Sequence, residues 1–385
     1  MTFTPDAATA LHIAKDLLEQ PTAAMREQLP RRMIQKFVAA RPGLTLSQDA
    51  AGNLIVRYEP KSDAARRRAP LVLVAHLDHP GFWVESCAEG VAKLAFKGYV
   101  GEPHAHAGLH VRFFSTDSAE PIGSGELSDV AYEKGRLVAA SARLIDGRAP
   151  EGAIAMWDFP GFSIVDGKIV TRCCDDLLGA SAALSALDAV VKLNADAAPV
   201  WGLFTRAEEI GFLGTLEAIR HSSIPKDACV LSLECSKAFD HAPQGGGVIV
   251  RVGDRSSIFD PQLTAALCKS AELIAKDDPA FKWQRKLMDG GSCEATAFCA
   301  YGFRASGVAL PLGNYHNQAQ RADGSKTIGP ENVVVDDYLG EVRLLVELAQ
   351  HPEWLEPGAL KLPQMLLDKA QEARVLTDTH PLCLE

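Results

Sequence analysis

Three short stretches of the chain are apolar at nearly every position and predict strands at the centre of a sheet. They are LVLVAH at 71–76, VWGLFT at 200–205 and VLSLEC at 230–235. An unbroken apolar run is typical of a parallel strand that is covered on both faces. Helical spacing at 7–41 and an amphipathic helix predicted at 174–193 alternate with these strands. The pattern therefore predicts an α/β fold with a mixed, mainly parallel central sheet and helices on both faces.

The pattern changes between residues 82 and 165. Short β-like runs there (VAKLAFKGYV, HVRFFST, RLVAASARLI) are separated by Gly, Pro and Asp, without a long helical pattern. This texture predicts a small all-β domain inserted over 82–165. The α/β domain would then be discontinuous and comprise residues 1–81 and 166–385.

Each apolar strand ends in side chains that bind metal ions or transfer protons. LVLVA is followed by His76 and Asp78, VWGLFT by Glu208 and Glu209, and VLSL by Glu234. Ligands of open α/β sheets bind beyond the carboxyl ends of the strands. We therefore expect these side chains to face one cavity.

Two further motifs add ligands to this cavity. Asp175 and Asp176 open the helix predicted at 174–193, and His316 follows the apolar run VALPL. So many carboxylates in a space poor in water would repel one another unless cations neutralise them. Two divalent metal ions would do so, and mixed imidazole and carboxylate ligands suit zinc as well as cobalt or manganese. Asp78 is expected to accept the second ring N–H of His76 and to fix its tautomer.

Composition excludes several other classes of protein. The formal net charge of −10 provides no basic field for a phosphate backbone, so no nucleic-acid partner is expected. No stretch reaches the roughly 18 apolar residues that span a bilayer, and the N-terminus lacks a basic leader followed by an apolar segment. Nine cysteines, an odd number without Cys-x-x-Cys spacing, favour a reducing cytoplasm over a disulfide framework.

The order of the motifs resembles one family. H-x-D after an apolar strand, D-D before a helix, E-E-x-G after a strand, an acid ending the next strand and a late His form an ordered set. The set is similar to the dinuclear zinc exopeptidases, and most similar to the cytosolic family of the tetrahedral and glutamyl aminopeptidases. Residues 77–174 separate the first His from D-D, and this is where that family carries its β-barrel insert.

The resemblance implies a role for each ligand. Asp175 would bridge two metal ions, His76 and Glu234 would complete one site, and Glu209 and His316 the other. Glu208 is then the implied general base: it would take a proton from a metal-bridging water that attacks the scissile carbonyl, and deliver that proton to the leaving amine.

The resemblance also implies a cis peptide between Asp175 and Asp176, and self-association through the insert. The chain departs from the family pattern at Leu177, where relatives have Arg, and at GGSCEA (290–295), where they have GGTDA. It also has Glu234 where the family usually has Asp. Within GGSCEA, Glu294 is expected either to hold a substrate ammonium group or to cap the helix that begins near it.

The expected function is a metal-dependent aminopeptidase that hydrolyses N-terminal residues from peptides. Two alternatives remain open. A dinuclear-metal amidohydrolase, acting as a carboxypeptidase-like deacylase on N-acyl amino acids or peptide C-termini, would need a cationic clamp for the substrate carboxylate. Its candidates are Arg206, Arg255, Arg285 and Arg304. A non-catalytic metal-binding scaffold is disfavoured because Glu208 and the implied ligands are all present.

Overall fold

The fold consists of helices and strands that alternate along most of the chain. The computed structural model describes residues 2–359, 365–369 and 371. The α-helices are α1 (Ala7–Leu18), α2 (Gln28–Ala39), α3 (Asp63–Arg66), α4 (Leu177–Leu193), α5 (Leu213–Arg220), α6 (Pro261–Asp277), α7 (Glu294–Ala300) and α8 (Val335–Gln350).

The strands fall into a large central sheet, a barrel and two small sheets. They are β1 (Leu44–Gln48), β2 (Leu54–Tyr58), β3 (Leu71–His76), β4 (Gly81–Ala88), β5 (Val91–Lys97), β6 (His110–Phe114), β7 (Pro121–Glu133), β8 (Arg136–Gly147), β9 (Ile154–Trp157), β10 (Ser163–Val165), β11 (Lys168–Thr171), β12 (Val200–Thr205), β13 (Cys229–Lys237), β14 (Val248–Asp254), β15 (Trp283–Met288), β16 (Arg304–Leu312), β17 (Gln318–Gln320), β18 (Lys326–Ile328) and β19 (Glu331–Val334).

The central sheet has eight strands in the order β1-β2-β12-β3-β13-β16-β14-β15. Its middle strands β12, β3, β13 and β16 are parallel to one another, and β2 and β14 flank them in antiparallel orientation. The apolar runs of the sequence are β3, β12 and most of β13. The predicted fold class, a mainly parallel sheet with helices on both faces and a small β-barrel, is confirmed.

Strand β3 shows why its sequence is apolar at every position. Leu71, Leu73 and Ala75 pack into a cluster that includes residues of α1, α4 and α8. Val72 and Val74 point the other way, into a second cluster with residues of α5 and α7. Because successive side chains of a strand point to opposite faces, a strand covered on both sides has no polar face.

Helix α4 is more deeply buried than its sequence predicts. We expect an amphipathic helix, but 14 of its 17 residues are buried. It packs against the sheet on one side and against α1 and α8 on the others, so it has almost no solvent face. Its small residues, such as Ala180, Ala183 and Ser181, allow this close packing.

The barrel lies between β3 and α4 in the chain. Strands β4 to β9 close it in the order β4-β5-β8-β7-β6-β9. Its interior holds an apolar cluster of its own, which includes Phe82, Leu94, Phe113 and Trp157. Strands β10 and β11 lie outside the barrel: β10 pairs with β11, and β11 pairs with β19. The domain boundaries at 82 and 165 stay a prediction, and the end of the predicted catalytic domain, residues 372–385, lies outside the described residues.

Two observations bear on the environment of the protein. No helix of the described residues combines the length and the apolarity that crossing a membrane needs. The eight cysteines placed by the structure are all free.

Candidate active site

The predicted ligands meet at the carboxyl edge of the four parallel strands. His76 is the last residue of β3, Glu208 and Glu209 follow β12, and Glu234 lies on β13. His316 follows β16 and a short loop. All five side chains are wholly or largely buried.

Asp175 lies between the two histidines. Its Oδ1 is 3.4 Å from Nε2 of His76, and its Oδ2 is 3.5 Å from Nε2 of His316. Nε2 of His316 is also 3.3 Å from Oε1 of Glu209. The peptide bond between Asp175 and Asp176 is cis, as the resemblance implies. The structure therefore brings the implied bridging acid and both imidazoles into one cluster.

The cluster fits divalent metal ions. Ligand atoms of His76, Asp175 and Glu209 lie within 4.8 Å of one another, as do those of His76, Glu208 and Glu234. Oδ1 of Asp175 and Oε1 of Glu209 are buried without a hydrogen-bond partner among the described residues. Buried anionic oxygens without donors are the environment that a cation stabilises. The division of ligands between two ions stays a prediction.

Asp78 makes different contacts from those we expect. Its Oδ1 accepts the backbone N–H of Glu208 at 2.9 Å, and its Oδ2 accepts that of Glu209 at 3.1 Å. Nδ1 of His76 lies 3.1 Å from the carbonyl oxygen of Asp78 and 3.6 Å from its Oδ1. The carbonyl is thus the nearer acceptor for the ring, because both carboxylate oxygens bind the loop that carries the two glutamates.

Glu294 does not cap its helix, and its expected contact with a substrate ammonium group stays a prediction. Its carboxylate is fully buried and accepts hydrogen bonds from Oγ1 of Thr205, at 2.5 Å, and from Oγ1 of Thr215. It is the first residue of α7, but Cys293 occupies the N-cap position. Glu294 therefore ties the end of β12 to α5 instead of capping its own helix.

Two residues beside the predicted ligands, the buried Glu27 and the half-buried Tyr315, make contacts that the sequence alone does not predict. Glu27 accepts the backbone N–H of Ala207 at 3.1 Å and Nε of Arg206 at 2.8 Å. Tyr315 stacks on the ring of His316, with centroids 3.8 Å apart. Glu27 sits at the start of a helix, where an acid is ordinarily solvated, and Tyr315 follows a turn. The partners of Glu27 are about 180 residues away in the chain, and hydrophobic periodicity carries no information about such distant contacts.

Repulsion among the carboxylates changes their acidity. Burial and the neighbouring Asp175 raise the pKa of Glu234 to about 8. Burial and the neighbouring Glu234 and Glu209 raise the pKa of Glu208 well above its ordinary value. Burial disfavours the charged ring of His76, but the carboxylates of Glu208, Asp175 and Asp78 outweigh it and raise the pKa of His76. Without a cation among them, these groups therefore hold protons near neutral pH.

Known proteins support the sequence resemblance. Residues 150–328 match the family model described as M42 glutamyl aminopeptidase. This segment contains Asp175, Glu208, Glu209, Glu234 and His316. The family resemblance predicted from the motifs is therefore confirmed. No protein of curated function gives a significant match.

Solved structures share the fold over nearly their whole length. An aminopeptidase from Desulfurococcus kamchatkensis is 16% identical with a TM-score of 0.73, and the alignment covers 91% of this chain and 97% of that one. A TET aminopeptidase from a marine sediment Thaumarchaeota archaeon is 18% identical with a TM-score of 0.71, and the alignment covers 90% of this chain and 97% of that one. The TET1 peptidase of Pyrococcus horikoshii can assemble into a tetrahedron or a large octahedral shell. It is 20% identical with a TM-score of 0.68, and the alignment covers 88% of this chain and 99% of that one.

The raised pKa values predict how the stability of the metal-free protein depends on pH. Between pH 4.5, the ordinary pKa of Glu234, and pH 8, the folded state holds protons that the unfolded chain has released. The folded state then binds more protons than the unfolded state, so the free energy of unfolding falls as the pH rises. We expect the unfolding midpoint of EDTA-treated protein to fall by roughly 5 °C or more between pH 5.5 and pH 8.5.

Differential scanning calorimetry of metal-free and zinc-loaded protein over this range tests the expectation. Bound metal replaces the protons, so the loaded protein should not lose stability over the same range. Glu234→Gln removes one titrating group and should flatten the profile of the metal-free protein. A midpoint that rises with pH in the metal-free protein would show that the carboxylates do not hold protons in the folded state.

Proposed function

We propose that this chain, a metal-dependent aminopeptidase of the M42 glutamyl aminopeptidase type, releases acidic N-terminal residues from peptides with Glu208 as the general base. The observation that carries the proposal is the placement of Asp175 between the imidazoles of His76 and His316, with Glu208 3.9 Å from the first of them. Peptide substrates reach this cluster from the carboxyl edge of the sheet.

The ligand set suits two divalent ions: Asp175, His76 and Glu234 would hold one, and Asp175, Glu209 and His316 would hold the other. Zinc suits these ligands, and so do cobalt and manganese. Bound there, the ions would polarise the scissile carbonyl and make a water molecule in the cleft more acidic. The orphaned oxygens of Asp175 and Glu209 support this assignment.

Glu208 is suited to move the proton. Its side chain is 11% exposed, so its carboxylate reaches the cleft while most of it stays buried. Asp78 holds the backbone N–H groups of Glu208 and Glu209, which fixes where each side chain starts. The carboxylate of Glu208 would take one proton from the attacking water and return it to the nitrogen of the leaving amine, so that the peptide bond breaks without a charged amide leaving group.

A cavity beside Glu234 supports the preference for acidic residues. It is lined by Glu234, Arg251, Lys237, Phe239 and Tyr315, among others, and has a volume of about 70 Å³. Arg251 is 3% exposed, and its Nε has no hydrogen-bond partner among the described residues. A buried guanidinium with an unused N–H favours a carboxylate ligand. The family description, glutamyl aminopeptidase, agrees with this chemistry.

Arg251 would also serve a deacylase, which is the second candidate function. Of the four clamp candidates from the sequence, Arg206 is bound by Glu27. Neither it nor Arg255, Arg285 or Arg304 lines the described cavity. Arg251 could bind either the side chain of an N-terminal glutamate or the carboxylate of an N-acyl amino acid. Only the aminopeptidase requires a free amino group on the substrate.

A substrate panel separates the two candidates. We expect the zinc-, cobalt- or manganese-loaded protein to hydrolyse the glutamyl anilide with a higher kcat/KM than the leucyl or lysyl anilide, and to leave N-acetylglutamate intact. Arg251→Met should lower kcat/KM for the glutamyl anilide by about 10- to 100-fold, because a charge-assisted hydrogen bond is lost, and should spare the leucyl anilide. Arg304→Met, a change outside the cavity, should spare both.

Turnover of N-acetylglutamate alone would end the aminopeptidase proposal and favour the deacylase. Equal loss on glutamyl and leucyl anilides in Arg251→Met would leave the aminopeptidase in place but remove Arg251 as the source of the acidic preference.

Glu208→Gln tests the general base. The amide cannot accept the proton, so kcat should fall by about 100- to 10,000-fold. Metal content measured by elemental analysis should stay near that of the unaltered protein. Glu217→Gln, on the exposed side of α5, is the control and should retain full turnover. Unchanged turnover in Glu208→Gln would exclude this residue from the proton transfer.

We also propose that the chain forms a homo-oligomer in the cytoplasm. The shells formed by the Pyrococcus horikoshii peptidase support self-association, and the free cysteines agree with a reducing compartment. Light scattering should give a mass that is a multiple of one chain. A monomer at micromolar concentration would contradict the proposal.

A further inference from the structure

The segments that carry Asp175 and His316 are far apart in the chain but are joined by one buried side chain. Glu331, the first residue of β19, is fully buried. Its Oε2 accepts the backbone N–H groups of Cys174 at 2.6 Å and Asp175 at 3.1 Å. Its Oε1 accepts the backbone N–H of His316 at 2.7 Å. Each oxygen of this carboxylate therefore holds one of the two ligand-bearing segments.

The backbone around Glu331 makes it a firm support. Glu331 pairs with Thr171 in the antiparallel ladder between β19 and β11. Thr171 ends β11 and leads directly into the segment of Cys174 and Asp175. The carboxylate is thus attached to the same small sheet from which the Asp175 segment emerges. Gly313, three residues before His316, forms a β-bridge with Asn332 of β19, so the His316 segment also starts beside this sheet.

The His316 segment needs such a support. Asn314, His316 and Asn317 have φ values of 56°, 54° and 59°, in the left-handed region that non-glycine residues seldom adopt. Such a conformation costs free energy and persists only where the surroundings impose it. The N–H that Glu331 accepts belongs to the middle one of these three residues.

His79 joins the same two segments at a second point. Its Nδ1 is 2.5 Å from the carbonyl oxygen of Asp175, and its Nε2 is 3.0 Å from Oδ1 of Asn317. Nδ2 of Asn317 donates in turn to the carbonyl oxygens of Arg172 and Gly329. His79 binds one segment through a main-chain oxygen and the other through a side chain. Among the residues that the structure describes, only Glu331 holds both segments by their backbone N–H groups.

We propose that Glu331 is a positioning residue that sets the distance between Asp175 and His316, and thereby the metal affinity of the site that these two residues form with Glu209. The inference rests on the metal centre of the proposed function. Glu331 itself contacts main-chain amides and no ligand-binding atom of the cluster. Groups that hydrogen-bond to metal-binding residues orient those residues, and their loss commonly lowers metal affinity by about 10- to 100-fold.

Glu331→Gln tests the proposal. The side-chain amide has one oxygen where the carboxylate has two, so one of the two segments loses its acceptor and faces an N–H donor instead. We expect titration of the metal-free protein with Co²⁺, followed by its visible absorption, to show weaker binding by about 10- to 100-fold. The Co²⁺ spectrum should also change, because His316 moves relative to Asp175.

Glu347→Gln is the matched control. Glu347 is a buried glutamate that also accepts a backbone N–H, from Phe3 at 3.3 Å, but it lies on α8 and its side chain contacts His351. This variant should lose stability without losing Co²⁺ affinity. If Glu331→Gln also binds Co²⁺ within about twofold of the unaltered protein, Glu331 serves stability alone and the proposal is overturned.

Hydrogen exchange of the unaltered protein gives a second measurement that does not depend on the folding of a variant. The amides of Cys174, Asp175 and His316 should be among the slowest to exchange outside the central sheet, because Glu331 binds all three. Exchange as fast as in exposed loops would overturn the proposal. Neither measurement requires turnover, so failure to hydrolyse aminoacyl anilides would refute the aminopeptidase and leave this result readable.

Discussion

The repulsion among carboxylates at one edge of the sheet is the constraint on which the rest of the structure depends. Asp175, Glu208, Glu209 and Glu234 converge there because the carboxyl ends of parallel strands lie side by side. In a space of low dielectric, such groups either hold protons or share cations. The raised pKa values of Glu208 and Glu234 correspond to the protonated state. The carboxylate oxygens of Asp175 and Glu209 that lack a donor among the described residues suit the cation-bound state. The arrangement of these buried carboxylates thus favours the binding of cations.

The main chain, more than side-chain packing, sets the positions of the ligands. Three buried carboxylates each use both oxygens to bind the segments that carry the site. Asp78 and Glu27 hold the loop of Glu208 and Glu209, and Glu331 holds the segments of Asp175 and His316. A hydrogen bond to a charged acceptor is short and directional, whereas an apolar contact tolerates sliding. Sites that bind metal need that directionality, because ligand distances must be held within a few tenths of an ångström.

The sequence predicts the sheet and the side chains that gather at its carboxyl edge for one physical reason. A strand covered on both faces is apolar throughout, so a polar residue at its end, such as His76 or Glu208, is conspicuous. The residues that escape prediction are polar ones whose partners are distant in the chain. Glu331 follows a proline in a turn-like segment and binds Asp175, more than 150 residues away. Arg251 lies within β14, and nothing in its local sequence separates it from the four arginines that the sequence suggests as clamps. Local patterns cannot distinguish such buried groups from solvated ones.

The loop between the barrel strands β5 and β6 contacts the candidate metal site directly. Nδ1 of His316 lies 2.8 Å from the carbonyl oxygen of Tyr99, in the loop that follows β5. Donation from Nδ1 to this carbonyl leaves Nε2, the nitrogen that faces Asp175 and Glu209, free of hydrogen and available to a metal ion. The backbone N–H of Gly101 also binds Oε1 of Gln318, two residues beyond His316. The loop after β5 therefore fixes which ring nitrogen of His316, a predicted ligand on the α/β fold, faces Asp175 and Glu209.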